Sequence, residues 1–260
     1  MNQNSFFGSA PLWIIFAATV AIIVLSIYFG IFISGVRRKS STAEDDFPVN
    51  TIVGATLALL GFILAFTFGF TASRFDSRKQ LLLDDVNSIG TTFLRAGFLP
   101  EPHCTEVRNL IRNYVDLRIE LSAHPENLKS IIEQSTRLQD EMWKHAEAVT
   151  NTDLKNPDIV SLFMESLNET IDIQTKRLTV ALVYRVPDLM WYALLSLLII
   201  SMFEVGYLFM KSEKPNWILI LTISLAFSLV ILMVVSFDRT DGSIKVNQQP
   251  MIELQKSLNK

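Results

Sequence analysis

The sequence predicts an all-α integral membrane protein, with four transmembrane helices in two hairpins flanking a helical extramembrane domain. Three observations predict it. Half of the 260 residues are hydrophobic and only 19% are charged, against roughly a quarter charged in an ordinary soluble domain; the mean hydropathy is accordingly positive, +0.33. The apolar excess is gathered into four blocks, each longer than the ~20 residues a helix needs to cross a hydrocarbon core of about 30 Å. Between the second and third blocks lies a long polar stretch with helical periodicity and weak strand signals.

The four blocks run from Pro11 to Gly35, Val49 to Ser73, Pro187 to Met210 and Trp217 to Phe237. They are too long and unbroken for barrel strands, and a helix satisfies its own backbone polar groups in lipid. The first block exceeds the length of a secretory h-region, has no basic residue before it and no small-residue cleavage pattern after it, so it reads as a retained span. The connections Val36 to Phe47 and Lys211 to Asn216 are too short to hold a domain. The division is therefore a hairpin over 1–73 (spans at 11–35 and 49–73), a helical domain over 74–185, a second hairpin over 186–237 (spans at 187–210 and 217–237), and a polar tail over 238–260.

Within the middle domain, Arg74 to Leu99 lacks proline and extends the second span beyond the membrane until Pro100 and Pro102 break it. Val107, Leu110, Ile111, Tyr114, Val115 and Ile119 fall at helical spacing in the next segment. Pro125 suits the start of another helix, whose apolar face includes Ile131, Leu138, Met142 and Val149. Asn151 to Asp158 is turn-rich, and Pro157 followed by Asp158 suits a helix start. The last helix runs from Ile159 to Arg185 towards the third span, with Pro187 kinking or restarting it.

Several function classes are excluded or unsupported at this level. The net charge of −3 and the lack of a basic block argue against nucleic acid. There is no glycine-rich nucleotide loop, no GxSxG and no HExxH, so neither an enzyme nor a cofactor is expected. Asp84 and Asp85 are neighbours on a helix, point about 100° apart, and read as solvated surface charges. Cys104 is the single cysteine, which excludes an intrachain disulfide. His103, His124 and His145 are about 21 residues apart, unlike a metal-ligand spacing, and read as surface or capping residues; no metal site is expected.

The second span carries the most information. Gly54, Ala58, Gly61, Ala65, Gly69 and Ala72 lie in a narrow angular band, a small-residue face that lets helices approach closely. Phe62, Phe66 and Phe70 recur every fourth residue on an adjacent face, and Arg74 and Arg78 continue that line. Several copies of this helix around an axis would stack the phenylalanines into apolar rings, which gate by dewetting, with arginines at the mouth favouring anions. Packing of the same stripe against lipid or a neighbouring helix is the alternative. Glu204, inside the third span, costs about 2.5–3.5 kcal/mol to insert on translocon scales. It reads either as a site in an ion path or a proton-sensitive switch, paired with Tyr207, or as a carboxylate reaching the interface or bonded to a neighbouring helix.

The run Phe62 to Phe70, followed by Arg74-Phe75-Asp76 and a long exit helix, resembles the second helix of bestrophin channels. Phe237-Asp238-Arg239-Thr240-Asp241-Gly242 is similar to the short segment after their fourth span, and the order of elements agrees. The resemblance is stronger still to bacterial bestrophin-like membrane proteins. It implies a homo-oligomeric ion channel, a pentamer, conducting inorganic ions across a bacterial inner membrane, with the middle domain cytoplasmic. It also implies a neck at Phe62, Phe66 and Phe70, close packing at Gly69, mouth charge at Arg74 and Arg78, and a motif at Asp238, Asp241 and Gly242. The acidic cluster that binds calcium in animal bestrophins is missing after the fourth span. A non-conducting scaffold or sensor, with a partner or ligand on the helical domain, is the rival reading. Basic residues near the spans do not choose a side for that domain.

Overall fold

A computed structural model describes residues 10–38, 46–150, 157–209, 216–239 and 245–260. The chain forms eight α-helices among these residues: α1 Leu12–Arg38, α2 Asp46–Ala96, α3 His103–Ala123, α4 Leu128–Thr150, α5 Pro157–Leu182, α6 Asp188–Leu208, α7 Trp217–Asp238 and α8 Gln249–Leu258. A 3₁₀ turn, Pro125–Asn127, precedes α4. No strand occurs among the described residues. The helices that contain the four apolar blocks, α1, α2, α6 and α7, are each long and apolar enough to cross a membrane.

The chain divides into two compact units. One comprises Met1–Phe75 and Arg185–Ile244, the other Asp76–Tyr184 and Lys245–Lys260. Helix α2 is a single element of 51 residues, roughly 75 Å long at 1.5 Å per residue, and contributes to both.

In the first unit α1 packs chiefly on α6 and then on α7. Ile23 and Ile27 of α1 join Leu194, Leu198 and Met202 of α6 and Val234 of α7 in its core. The closest approach is made by two glycines. A Cβ on Gly30 would overlap the Phe203 carbonyl oxygen, and one on Gly206 would overlap the Ile27 carbonyl, so the helices touch backbone to backbone. Hydroxyls inside the spans turn back on their own helix: Thr19 donates to the Ile15 carbonyl at 2.8 Å, Thr67 to Ile63 at 2.7 Å and Ser224 to Ile220 at 2.7 Å. That satisfies donors for which lipid offers no partner. Helix α7 begins at Asn216, whose side chain accepts the Ile218 N–H at 3.1 Å, a regular N-cap.

The second unit is a helical domain with its own core, centred on Val107, Ile111, Tyr114, Met142, Phe163 and Leu167. The prolines act where the sequence places them: α2 ends at Ala96 and α3 starts at His103. Pro187 restarts the chain after the break that follows Leu182, and α6 begins at the next residue. The tail contains more than its polar composition announces. Its helix α8 buries Met251 and Leu258 in the second unit's core, and Arg112 Nε donates to the Leu258 carbonyl at 2.9 Å.

The glycine crossing generates a direct test. Gly206→Val forces α1 and α6 apart, and overpacking of this kind costs about 1–3 kcal/mol. The expected outcome is a lower melting temperature of the detergent-solubilised protein; Gly35→Val, where nothing lies within 4 Å of the added Cβ, is expected to leave it unchanged.

Candidate functional site

The phenylalanine ladder of α2 lies outside the chain's own packing. Helix α2 turns Val53, Leu60, Leu64, Thr67 and Thr71 inward, while Phe62 is 65% exposed, Phe66 59% and Phe70 39%. The next residue of the fourth-residue line is Arg74, which is 8% exposed. The steady decline has a geometric cause. A step of four residues overshoots one turn of a 3.6-residue helix by about 40°, so each successive member rotates further towards the buried face. The small-residue face shows the same openness: added Cβ atoms on Gly54, Gly61 and Gly69 meet nothing within 4 Å. Within the single chain, glycine-to-backbone contact between helices is made at Gly30 and Gly206.

Arg74 therefore sits differently from a freely solvated mouth charge. Its Nη1 donates to Asp238 Oδ1 in a buried ion pair. The same carboxylate oxygen accepts the Val186 N–H at 3.2 Å. One residue on, Arg239 Nη1 donates to the Ala10 carbonyl at 2.6 Å. Phe237 sets its ring edge-on to Phe68 and Phe75, with centroids 5.7 and 5.3 Å apart. The segment after α7 thus ties together α2, the approach to α6 and the approach to α1. Arg78 is half-buried. Asp241 and Gly242, the other two members of that motif, lie outside the described residues.

Glu204 is half-buried on α6 and accepts a hydrogen bond from the Thr56 hydroxyl of α2. Ser201 Oγ lies 3.5 Å from the Thr56 carbonyl on the same side. An acidic group inside a span is thereby bonded to the helix that carries the phenylalanines, at a point N-terminal to Phe62.

In the second unit a buried polar network occupies positions that sequence reasoning missed. Asp85 is completely buried, a correction to its reading as a solvated surface charge. It accepts Arg118 Nη2 at 3.0 Å and also Arg177 Nη1. Nearby, the Tyr114 hydroxyl donates to Gln174 Oε1 at 2.6 Å, and Gln139 Nε2 donates to the same oxygen at 2.5 Å. One carboxylate is shared between two guanidiniums. Burial, reinforced by Arg118, pushes Arg177 below the usual guanidinium value, while Asp85 pulls it back. Burial also pushes the Tyr114 phenol up to about 12, with Asp85 adding to the rise and Arg118 opposing it. The signal available in the sequence was Gln139, a polar residue on the apolar face of α4 between Ile131 and Met142.

The histidines are corrected in part. His124 is exposed and sits 3.0 Å from Glu126. His103 and His145, separated by 42 residues, approach to 2.9 Å between Nδ1 atoms, because the α3–α4 hairpin brings its two ends together. Even spacing along the chain carries no information about such a contact.

These features define a bestrophin-type membrane protein: two apolar hairpins, a continuous second helix with an outward phenylalanine ladder, and a helical domain. A family model described as the Bestrophin-like domain matches residues 22–251, and the chain belongs to that family. The fold is similar to that of a membrane protein of known crystal structure (TM-score 0.68, 12% identity, covering 94% of this chain and 97% of that one). It is similar also to variants of a bacterial bestrophin homologue from Klebsiella pneumoniae. One has a TM-score of 0.66 at 12% identity over 92% of this chain and 96% of that one. Another has a TM-score of 0.66 at 13% identity over 94% and 97%. No curated protein matches the sequence.

The raised Tyr114 value has a consequence for stability. The folded phenol titrates near 12 against about 10 when unfolded, so folding favours the protonated form. The associated stability, on the order of 2–3 kcal/mol, is fully present below pH 10 and is lost as pH rises towards 12. The expected result is that alkaline unfolding between pH 10 and 12 is blunted in Tyr114→Phe relative to wild type, read by circular dichroism.

Proposed function

We propose that the protein is an ion channel whose pore is lined by α2 from several copies of the chain, with Phe62, Phe66 and Phe70 forming a hydrophobic neck. The observation that carries this reading is the ladder itself: three large aromatic side chains one turn apart along one side of α2, left outside their own protomer's core. Apolar rings of this kind hold a constriction that water leaves readily, and conduction is then set by wetting of the neck. The open faces at Gly61 and Gly69 leave room for a neighbouring copy of α2 to approach, as close helix association in lipid requires. By resemblance the assembly is a pentamer in a bacterial inner membrane, with the second unit cytoplasmic.

The roles of the flanking residues follow from their contacts. Arg74 holds α2 in rotation through Asp238, and its charge is offset there. The same drift of about 40° per step turns Arg78 further from the phenylalanine face, so the proposed preference for anions is carried by the resemblance. Glu204, bonded to Thr56, acts on the pore through α2.

Flux through purified protein in liposomes tests the proposal. Phe66→Ala/Phe70→Ala is expected to raise chloride flux several-fold or to change the preference between chloride and potassium. Wild type and variant both inert, across both salts and a range of pH, would overturn the channel reading.

A further inference from the structure

The end of the α3–α4 hairpin opposite its turn holds three groups that converge on one point. His103 opens α3, Glu106 follows one turn later on the same face, and His145 comes from the last part of α4. His145 Nδ1 lies 2.9 Å from His103 Nδ1 and 3.4 Å from Glu106 Oε2. One ligand atom from each residue falls within 4.8 Å of the others. The two imidazoles meet edge to face, with planes 69° apart, and do not stack.

We propose that His103, Glu106 and His145 form a binding site for one divalent transition-metal ion of the zinc class. Two imidazole nitrogens and one carboxylate oxygen suit that ion, with metal–ligand distances of about 2.0–2.2 Å. Tetrahedral ligands at those lengths stand about 3.3–3.6 Å apart. The His145–Glu106 separation already has this value, and the two nitrogens need to open by only a few tenths of an ångström. Softer thiolate chemistry is not involved: Cys104 adjoins His103 in sequence but packs against the apolar core. Both histidines are half-buried and Glu106 is exposed, so an ion reaches the site from solvent and a water molecule completes the fourth position. The bound ion closes a loop of 42 residues, fastening the open end of a hairpin whose other end is fixed by the turn before α4.

The test is zinc binding to the tag-free, full-length protein in detergent, followed by calorimetry. One ion per chain is expected, with affinity at least about tenfold weaker in His103→Gln and in His145→Gln, and unchanged in His124→Gln and Cys104→Ser. Carbethoxylation of the wild-type protein, read by mass spectrometry, needs no variant: zinc is expected to protect His103 and His145 and to leave His124 reactive. The proposal is overturned by absence of binding to wild type, by equal affinity in a folded His103→Gln/His145→Gln double variant, or by equal carbethoxylation of the three histidines with and without zinc.

Discussion

The buried pair between Arg74 and Asp238 is the interaction on which the first unit's arrangement turns. A guanidinium and a carboxylate removed from water are costly unless each is fully engaged. Here the carboxylate also accepts the Val186 N–H, and the next residue, Arg239, reaches the Ala10 carbonyl. Four chain segments are fastened at one level by two adjacent residues. Removing one member of such a pair leaves an uncompensated buried charge, which typically costs about 3–5 kcal/mol.

The consequence for α2 is rotational. Apolar spans have little to choose between their faces in lipid, because a leucine is equally content against tails or against another helix. A buried charge has one place to go. With Arg74 held inward at Asp238, the 40° overshoot per fourth residue turns Phe70, Phe66 and Phe62 progressively outward. Glu204, accepting from Thr56, adds a second polar tie nearer the start of α2. Two ionisable groups that look expensive for a membrane helix thus fix the rotation of the helix that carries the proposed neck.

Much of the fold was legible in the sequence because the membrane makes it so. Blocks of more than twenty apolar residues have no other stable form in lipid, and Pro100, Pro102, Pro157 and Pro187 punctuate the helices where proline chemistry requires. The phenylalanine ladder and the Asp238 segment were legible as patterns; their connection was not. Arg74 looked like an extension of the ladder because spacing by four approximates one turn, and the missing 0.4 residue accumulates over three steps. Asp85, Arg118 and Arg177 were hidden for a different reason: each charge lies on a different helix, and only tertiary packing makes one the partner of the next. The same holds for His103 and His145, whose separation in sequence says nothing about a hairpin's two ends.

The central claim is that the ladder faces a common axis in an assembly of identical chains. Spin labels placed singly at Phe66→Cys and at Leu25→Cys, an exposed position on α1, in a Cys104→Ser background, test it through distances between copies measured by pulsed electron resonance. The account predicts a distinctly shorter inter-copy distance from position 66 than from position 25. A longer distance at 66, or no coupling between copies at either site, would contradict it.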